Sequence, residues 1–229
     1  MPPDGEFLKE YYAHEQAYEN IVKWEGVDSY AYEDTSKVPT VGIGFNLKDK
    51  TTRGYITEYY SEELQDQGVS KAEADSQAQS LIRTLKREAR ARGSSSNPPL
   101  PGSTSLSNEL NERVFRSLIS DKLNWVNKNY AKANLNYSQK AIIADLYFQG
   151  GNKYVGRDTS FYKAAHAGDW DEVIYQVQEG SNRHKVPGIQ NRHDDRVEAL
   201  DIARGGDGTF RASPRPRRIR PNPPVSKRP

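Results

Sequence analysis

KWEGVDSYAYEDTSKVPTVGIGFNL, Lys23 to Leu47, changes pattern partway through. Up to Trp24 the apolar residues keep a helical period, with Ala13, Ala17, Ile21 and Trp24 on one face. Gly26 then supplies a stop signal. Beyond it Tyr30, Tyr32, Val38, Val41 and Ile43 stand among Asp, Ser, Pro and Gly, the mark of short strands joined by turns. The stretch therefore predicts a helix over 6–25 that runs into a small β-hairpin or three-stranded sheet. From there outward the pattern is helical. Apolar stripes cover 71–92 (Ala78, Leu81, Ile82, Leu85, Ala89) and 106–130 (Leu110, Val114, Leu118, with Phe115 and Ile119 beside them). Ser138 to Phe148 is mostly apolar and is expected to be the most buried helix. A short helix follows over 160–166. Asp169 with Glu172 three residues on reads as a capping box for a helix carrying Trp170, Val173, Ile174 and Val177, which Gly180 ends. Asn191 to Arg204 is the last helix, and Gly93 to Ser105 (GSSSNPPLPGSTS) is a loop by composition. Strands and helices segregated along the chain predict an α+β fold that is predominantly helical.

Composition narrows the function classes. With 229 residues, 34% hydrophobic and 28% charged, the chain can bury a real core under a polar surface. No apolar run reaches the roughly 18 residues that would suggest a membrane-spanning helix, and residues 1–20 carry charges throughout, so neither a membrane span nor a secretory leader is expected. There is no cysteine, which excludes disulfides, thiolate metal sites and a cysteine nucleophile. The net charge of +2 divides unevenly, +6 over 205–229 and −4 over 1–204. The tail also holds six of the 13 prolines, and like charges with few backbone donors predict an extended, disordered segment. It reads as a linker, as a docking peptide, or as an adhesive for an anionic wall or membrane surface. His14, His166, His184 and His193 show no metal-ligand spacing, and His193-Asp194-Asp195 reads as a solvated charged face. Gly42-Ile43-Gly44 lacks the third glycine of a dinucleotide loop. A basic tail without a fold motif does not argue for a specific nucleic-acid partner.

The candidate chemistry sits where the first helix meets the strands. Glu25 ends the helix, Asp34 follows in the turn-prone EDTSK stretch, and Thr40 precedes Val41-Gly42-Ile43-Gly44. Two carboxyl groups facing each other across a cleft are what glycoside hydrolysis needs: one protonates the leaving oxygen, the other attacks or activates water. A hydroxyl such as that of Thr40 can hold the water. The spacing alone is weak evidence in a chain so rich in Asp, Glu and Thr. On spacing alone, Glu25 as a solvated helix end and Asp34 as a turn residue capping its own backbone are the readings to prefer.

The surrounding residues add more. Glu25-Gly26, Asp34, Thr40 and Gly42-Ile43-Gly44 resemble, in order and spacing, the motif of glycoside hydrolase family 24, the phage-type lysozymes. Leu146-Tyr147-Phe148-Gln149-Gly150-Gly151 is similar to the end of that family's central helix, Trp170-Asp171-Glu172 to the start of a later one, and Pro187 with Asn191-Arg192 and Arg196 to its C-terminal segment. Two departures stand out. Phe45 and Asn46 occupy positions where the family has a His and an apolar residue, and the region from Leu47 to Leu106 is longer than in compact members.

The resemblance implies a two-lobed lysozyme-like fold, with a small N-terminal β-sheet lobe and a larger helical lobe. Residues 1–204 would form the catalytic domain and 48–105 a specialised mid-region. It implies Glu25 as general acid, Asp34 as the carboxylate assisting water, Thr40 as the residue holding that water, and inversion at the sugar C1. Gly44, Asn46, Phe148 and Gln176 would line the sugar cleft, and Arg192 would orient Glu25 or make a structural ion pair. Phe148 reads as core before it reads as a sugar contact. The implied activity is a muramidase that cleaves the β-1,4 bond between N-acetylmuramic acid and N-acetylglucosamine in bacterial peptidoglycan, with no cofactor and no metal, as a monomer. As an endolysin it would wait in the host cytoplasm for a holin-type hole. A virion-borne enzyme, a secreted antibacterial effector, a chitin-directed hydrolase and a non-catalytic wall-binding protein are the alternatives.

Overall fold

The computed structural model of the chain describes residues 5–183 and 187–205. Helix α1, Gly5–Glu25, buries Ala13, Ala17 and Ile21. It stops where Gly26 turns to φ +66° and returns its N–H to the Val22 carbonyl at 3.1 Å, a backbone turn that glycine makes without a Cβ penalty. Three short strands follow in antiparallel order: β1 Asp28–Glu33, β2 Pro39–Gly42 and β3 Phe45–Asn46. Their register pairs Tyr32 with Thr40 and Thr40 with Asn46. Directly opposed residues share a face, so Tyr32, Thr40 and Asn46 form one row across the sheet.

The mid-region is an antiparallel helical hairpin, α2 Lys50–Asp66 and α3 Lys71–Arg92, packed on the sheet through α3. The apolar period predicts α3 but not α2. The residues α2 buries are Thr52, Ile56, Ser61 and Leu64, so hydroxyls interrupt its stripe. Ser61 meets its burial by donating to Asp75 at 2.7 Å. Residues 93–105 form a loop anchored by the buried Arg92, which pairs with Asp28 at 2.9 Å and donates to the carbonyls of Tyr30, Ser95 and Asn97.

The rest is helical: α4 Asn108–Asn129, α5 Tyr137–Gly150, α6 Asn152–Val155, α7 Ser160–Ala167, α8 Trp170–Arg183 and α9 Pro187–Ala203. The fold is α+β and predominantly helical, as the pattern predicts. Helix α5 packs against α1, α4 and α9, and its Ala141, Ile142, Ile143 and Ala144 are fully buried. One apolar core joins these to Phe45 of the sheet and to Phe115 and Ile119 of α4.

Three local expectations are corrected. Asp169 caps α8 through the Glu172 N–H at 3.0 Å, but its own N–H bonds to Ala164 O and the Glu172 carboxylate accepts from Gln176, so there is no reciprocal box. A true capping box joins Asn136 and Gln139 at the start of α5. Helix α8 continues through Gly180 to Arg183, because that glycine faces the ring of the buried His193 rather than ending the helix. His193 is accordingly no part of a solvated face, since α9 turns it inward while Asp194 stays exposed. The basic tail over 206–229 and His184 lie outside the described residues.

Candidate active site

Glu25 is the last residue of α1, so its side chain projects from the helix end toward the strands. It is 27% exposed. Oε1 accepts from Arg192 Nη1 of α9 at 2.5 Å. Oε2 lies against Gly44 of the β2–β3 turn, where a Cβ built on that glycine would stand 3.1 Å away. Gly44 also holds φ +69°, which L side chains rarely adopt. Gly44→Ala is therefore expected to cost about 1–2 kcal/mol of stability and to push the Glu25 carboxyl off its position. Urea unfolding together with activity per folded molecule would show it; a variant with wild-type values of both would refute the close approach.

Arg192 is held from behind. Its Nη2 donates to Asp145 Oδ1 at 2.6 Å, and Arg196 Nε donates to Asp145 Oδ2 at 2.6 Å. Asp145, on α5, is 1% exposed. Burial alone would push its carboxyl up, but Arg196 and Arg192, by charge and hydrogen bonds, outweigh it and hold the group below the usual carboxylate range. Asp145 is a residue that sequence reasoning passed over. Its signal was present: one acid among the apolar residues of AIIADLYF, 141–148, demands a cationic partner once that helix is buried.

Asp34 sits in the β1–β2 turn, half-buried. Its Oδ1 accepts the backbone N–H of Ser36 and of Val38, both at 2.8 Å, and Lys37 closes the turn at φ 60°. Among the described residues no donor reaches Oδ2. Thr40 is buried and donates its hydroxyl to Val38 O at 3.0 Å, which leaves the oxygen lone pairs as acceptors. Tyr32 was also missed. It stands opposite Thr40, and its phenol is pushed up first by burial and then by the charges of Glu25, Asp28 and Asp34, so it lies within the field of both candidate carboxylates. Only the strand register, which sequence did not specify, singles it out from Tyr30.

The remaining expected residues are spread more widely. Asn46 is exposed at the end of the Tyr32–Thr40 row, its Oδ1 accepting from Lys48 N at 2.7 Å. Phe148 is half-buried and meets Phe115 edge to face at 5.9 Å, a core contact. Gln176 donates to Glu172 at 2.7 Å and lines a cavity of about 390 Å³ between α5, α6, α7, α8 and α9, whose walls include none of Glu25, Asp34 or Thr40.

No protein-family model matches the chain, and no curated protein matches it. Solved structures do. An endolysin from Escherichia coli O157:H7 phage FAHEc1 is 16% identical, with 81% of this chain and 90% of that one covered and a TM-score of 0.49. The active form of the P1 phage endolysin Lyz is 14% identical, with 82% and 83% covered and a TM-score of 0.49.

Proposed function

We propose that the chain is a peptidoglycan hydrolase of the muramidase type, acting on the β-1,4 bond between N-acetylmuramic acid and N-acetylglucosamine, in the setting of a phage endolysin. The observation that carries this reading is that two carboxyl groups in unlike environments stand on one three-stranded sheet, Glu25 against Gly44 of the β2–β3 turn and Asp34 in the β1–β2 turn. Glu25 is tied through one oxygen to Arg192, while Asp34 is fixed by two backbone donors in an open turn. The sequence motif resemblance supports it.

In this reading Glu25 carries its proton on Oε2, the oxygen that Arg192 does not occupy, and delivers it to the glycosidic oxygen. Water attacks C1 from the opposite face, Thr40 Oγ accepts one of its hydrogens, and Asp34 Oδ2 takes the proton released. One proton is given and one taken, so the site returns to its starting charge after exchange with solvent. Inversion at C1 follows if water is the nucleophile, and the α-anomer would then appear first by proton NMR.

Asp34→Asn separates chemistry from folding. The amide oxygen keeps both turn hydrogen bonds, so stability is expected to change by less than about 1 kcal/mol, while turnover falls roughly 100-fold or more. Mass spectrometry of digested sacculi should show reducing-end N-acetylmuramic acid. Reducing-end N-acetylglucosamine, or faster cleavage of chitin oligomers than of sacculi, would overturn the bond assignment.

A further inference from the structure

The C-terminal half of α3 carries Arg83, Lys86, Arg87, Arg90 and Arg92 with a single acid, Glu88. Two of these six are engaged within the fold. Arg92 is buried against Asp28, and Glu88 accepts from Thr104 through N at 3.0 Å and Oγ1 at 3.3 Å. The other four cations lie together on one open face of α3. Arg83, the adjacent Lys86 and Arg87, and Arg90 follow one another at about one turn and so share a face of the helix, roughly 10 Å long at about 1.5 Å per residue.

Arg53, at the start of α2, adds a fifth cation from the side. Its guanidinium is held by the carbonyls of Leu47 at 3.2 Å and Lys48 at 2.6 Å. Lys86 is half-buried beside it, and burial, then Arg53 and Arg90, push its ammonium below the ordinary range. Among the described residues no carboxylate lies within salt-bridge distance of Arg83, Lys86, Arg87 or Arg90. The helix dipole favours cations only in the last turn. It accounts for Arg90 and Arg92, and leaves Arg83, Lys86 and Arg87 as like charges gathered without a counter-charge.

The chemistry of the stripe narrows its occupant. Guanidinium forks match phosphate better than carboxylate at several points along a line. A stripe parallel to the helix axis suits a linear polymer with repeating charge. Tyr55 and Tyr59 of the hairpin are turned to α4, where Tyr55 donates to Asp121 at 2.9 Å and Tyr59 meets Ser117 at 2.6 Å, so they offer no platform for stacking bases. None of the large apolar side chains left exposed among the described residues lies on α2 or α3, so the face has no anchor for a bilayer. We propose that this face of α3 binds a linear, base-free phosphodiester polymer of the polyol-phosphate kind. The proposal is independent of the catalytic reading.

The test uses the full chain with Arg215, Arg217, Arg218 and Arg220 replaced by Gln, so that the tail does not dominate. Fluorescence anisotropy would follow binding of labelled poly(glycerol phosphate) across a salt series. Arg83→Gln with Arg87→Gln is expected to weaken binding about tenfold and to reduce the slope of log K against log salt by about 1.4. Arg83→Lys with Arg87→Lys, which keeps the charge and loses the fork, should fall between. Lys128→Gln with Lys132→Gln, on exposed residues elsewhere, should match the parent. Equal losses for the two Gln pairs would overturn the site. Equal affinity for polyglutamate would overturn the preference for phosphate. Tighter, Arg83- and Arg87-dependent binding of single-stranded DNA or of phosphatidylglycerol vesicles would overturn the assigned occupant in favour of that class.

Discussion

Glu25→Gln is expected to abolish clearing of outer-membrane-permeabilised bacteria, with turnover down about 10³-fold, while circular dichroism and pelleting with purified sacculi stay as in the wild type. The size follows from general acid catalysis, worth about 10²–10⁴ when the proton donor is lost. The amide is nearly isosteric and its oxygen still accepts from Arg192, so the helix end and the contact with Gly44 are preserved. Equal clearing by both proteins would remove Glu25 from the chemistry. If neither protein clears but both pellet with sacculi, the chain is a wall-binding protein, and Glu25 serves only as an ion-pair partner at the end of α1.

Asp145→Ala is expected to give the largest loss of stability. It leaves Arg192 and Arg196, at 5% and 3% exposure, without their shared counter-charge. Breaking a buried pair from one side costs roughly 3–5 kcal/mol, or a fall in Tm of about 10 °C for a body of this size. Asp145→Asn keeps the shape and one acceptor, and should lose less. The pH dependence has a definite sign. The folded carboxyl is held below its unfolded value of about 3.9, so its contribution is complete above that pH and is lost as pH falls through the folded value. The gap between wild type and Asp145→Asn in urea midpoint should therefore be full at pH 7 and narrow toward pH 3. A gap that stays constant over that range would mean that Asp145 acts by packing and not by charge. Activity per folded molecule adds a second reading: because Asp145 grips Arg192 and Arg192 grips Glu25, it should fall in Asp145→Asn while sacculus binding does not.

Much of this was legible locally. The change of period at Gly26 located the junction of α1 with the sheet, because a helix and a strand demand different apolar spacings from the same chain. Helix α3 and α4 follow their stripes for the same reason. Helix α2 escaped because Thr52 and Ser61 take buried positions that a hydropathy period assigns to solvent; Thr52 is satisfied by the helix cap Asp49 three residues before it, and Ser61 by Asp75, which the packing of α3 brings near. Gly180 misled because a glycine signals a helix end only where no neighbouring group needs the space, and here the His193 ring lies against it.

Sequence by itself determined the α+β class, the junction of α1 with the strands and the helices other than α2 and α6, and it named the candidate trio Glu25, Asp34 and Thr40, because each rests on residues close together in the chain. Tertiary structure decided which groups surround that trio. Arg192 reaches Glu25 across 167 positions, and Asp145 reaches Arg192 across 47. Those contacts exist only because α1, α5 and α9 pack on one another. The strand register then set Tyr32, rather than Tyr30, opposite Thr40. Local periodicity carries a residue's face and its burial, but ion pairs and cross-strand neighbours depend on which faces finally meet, and that is a property of the packed core.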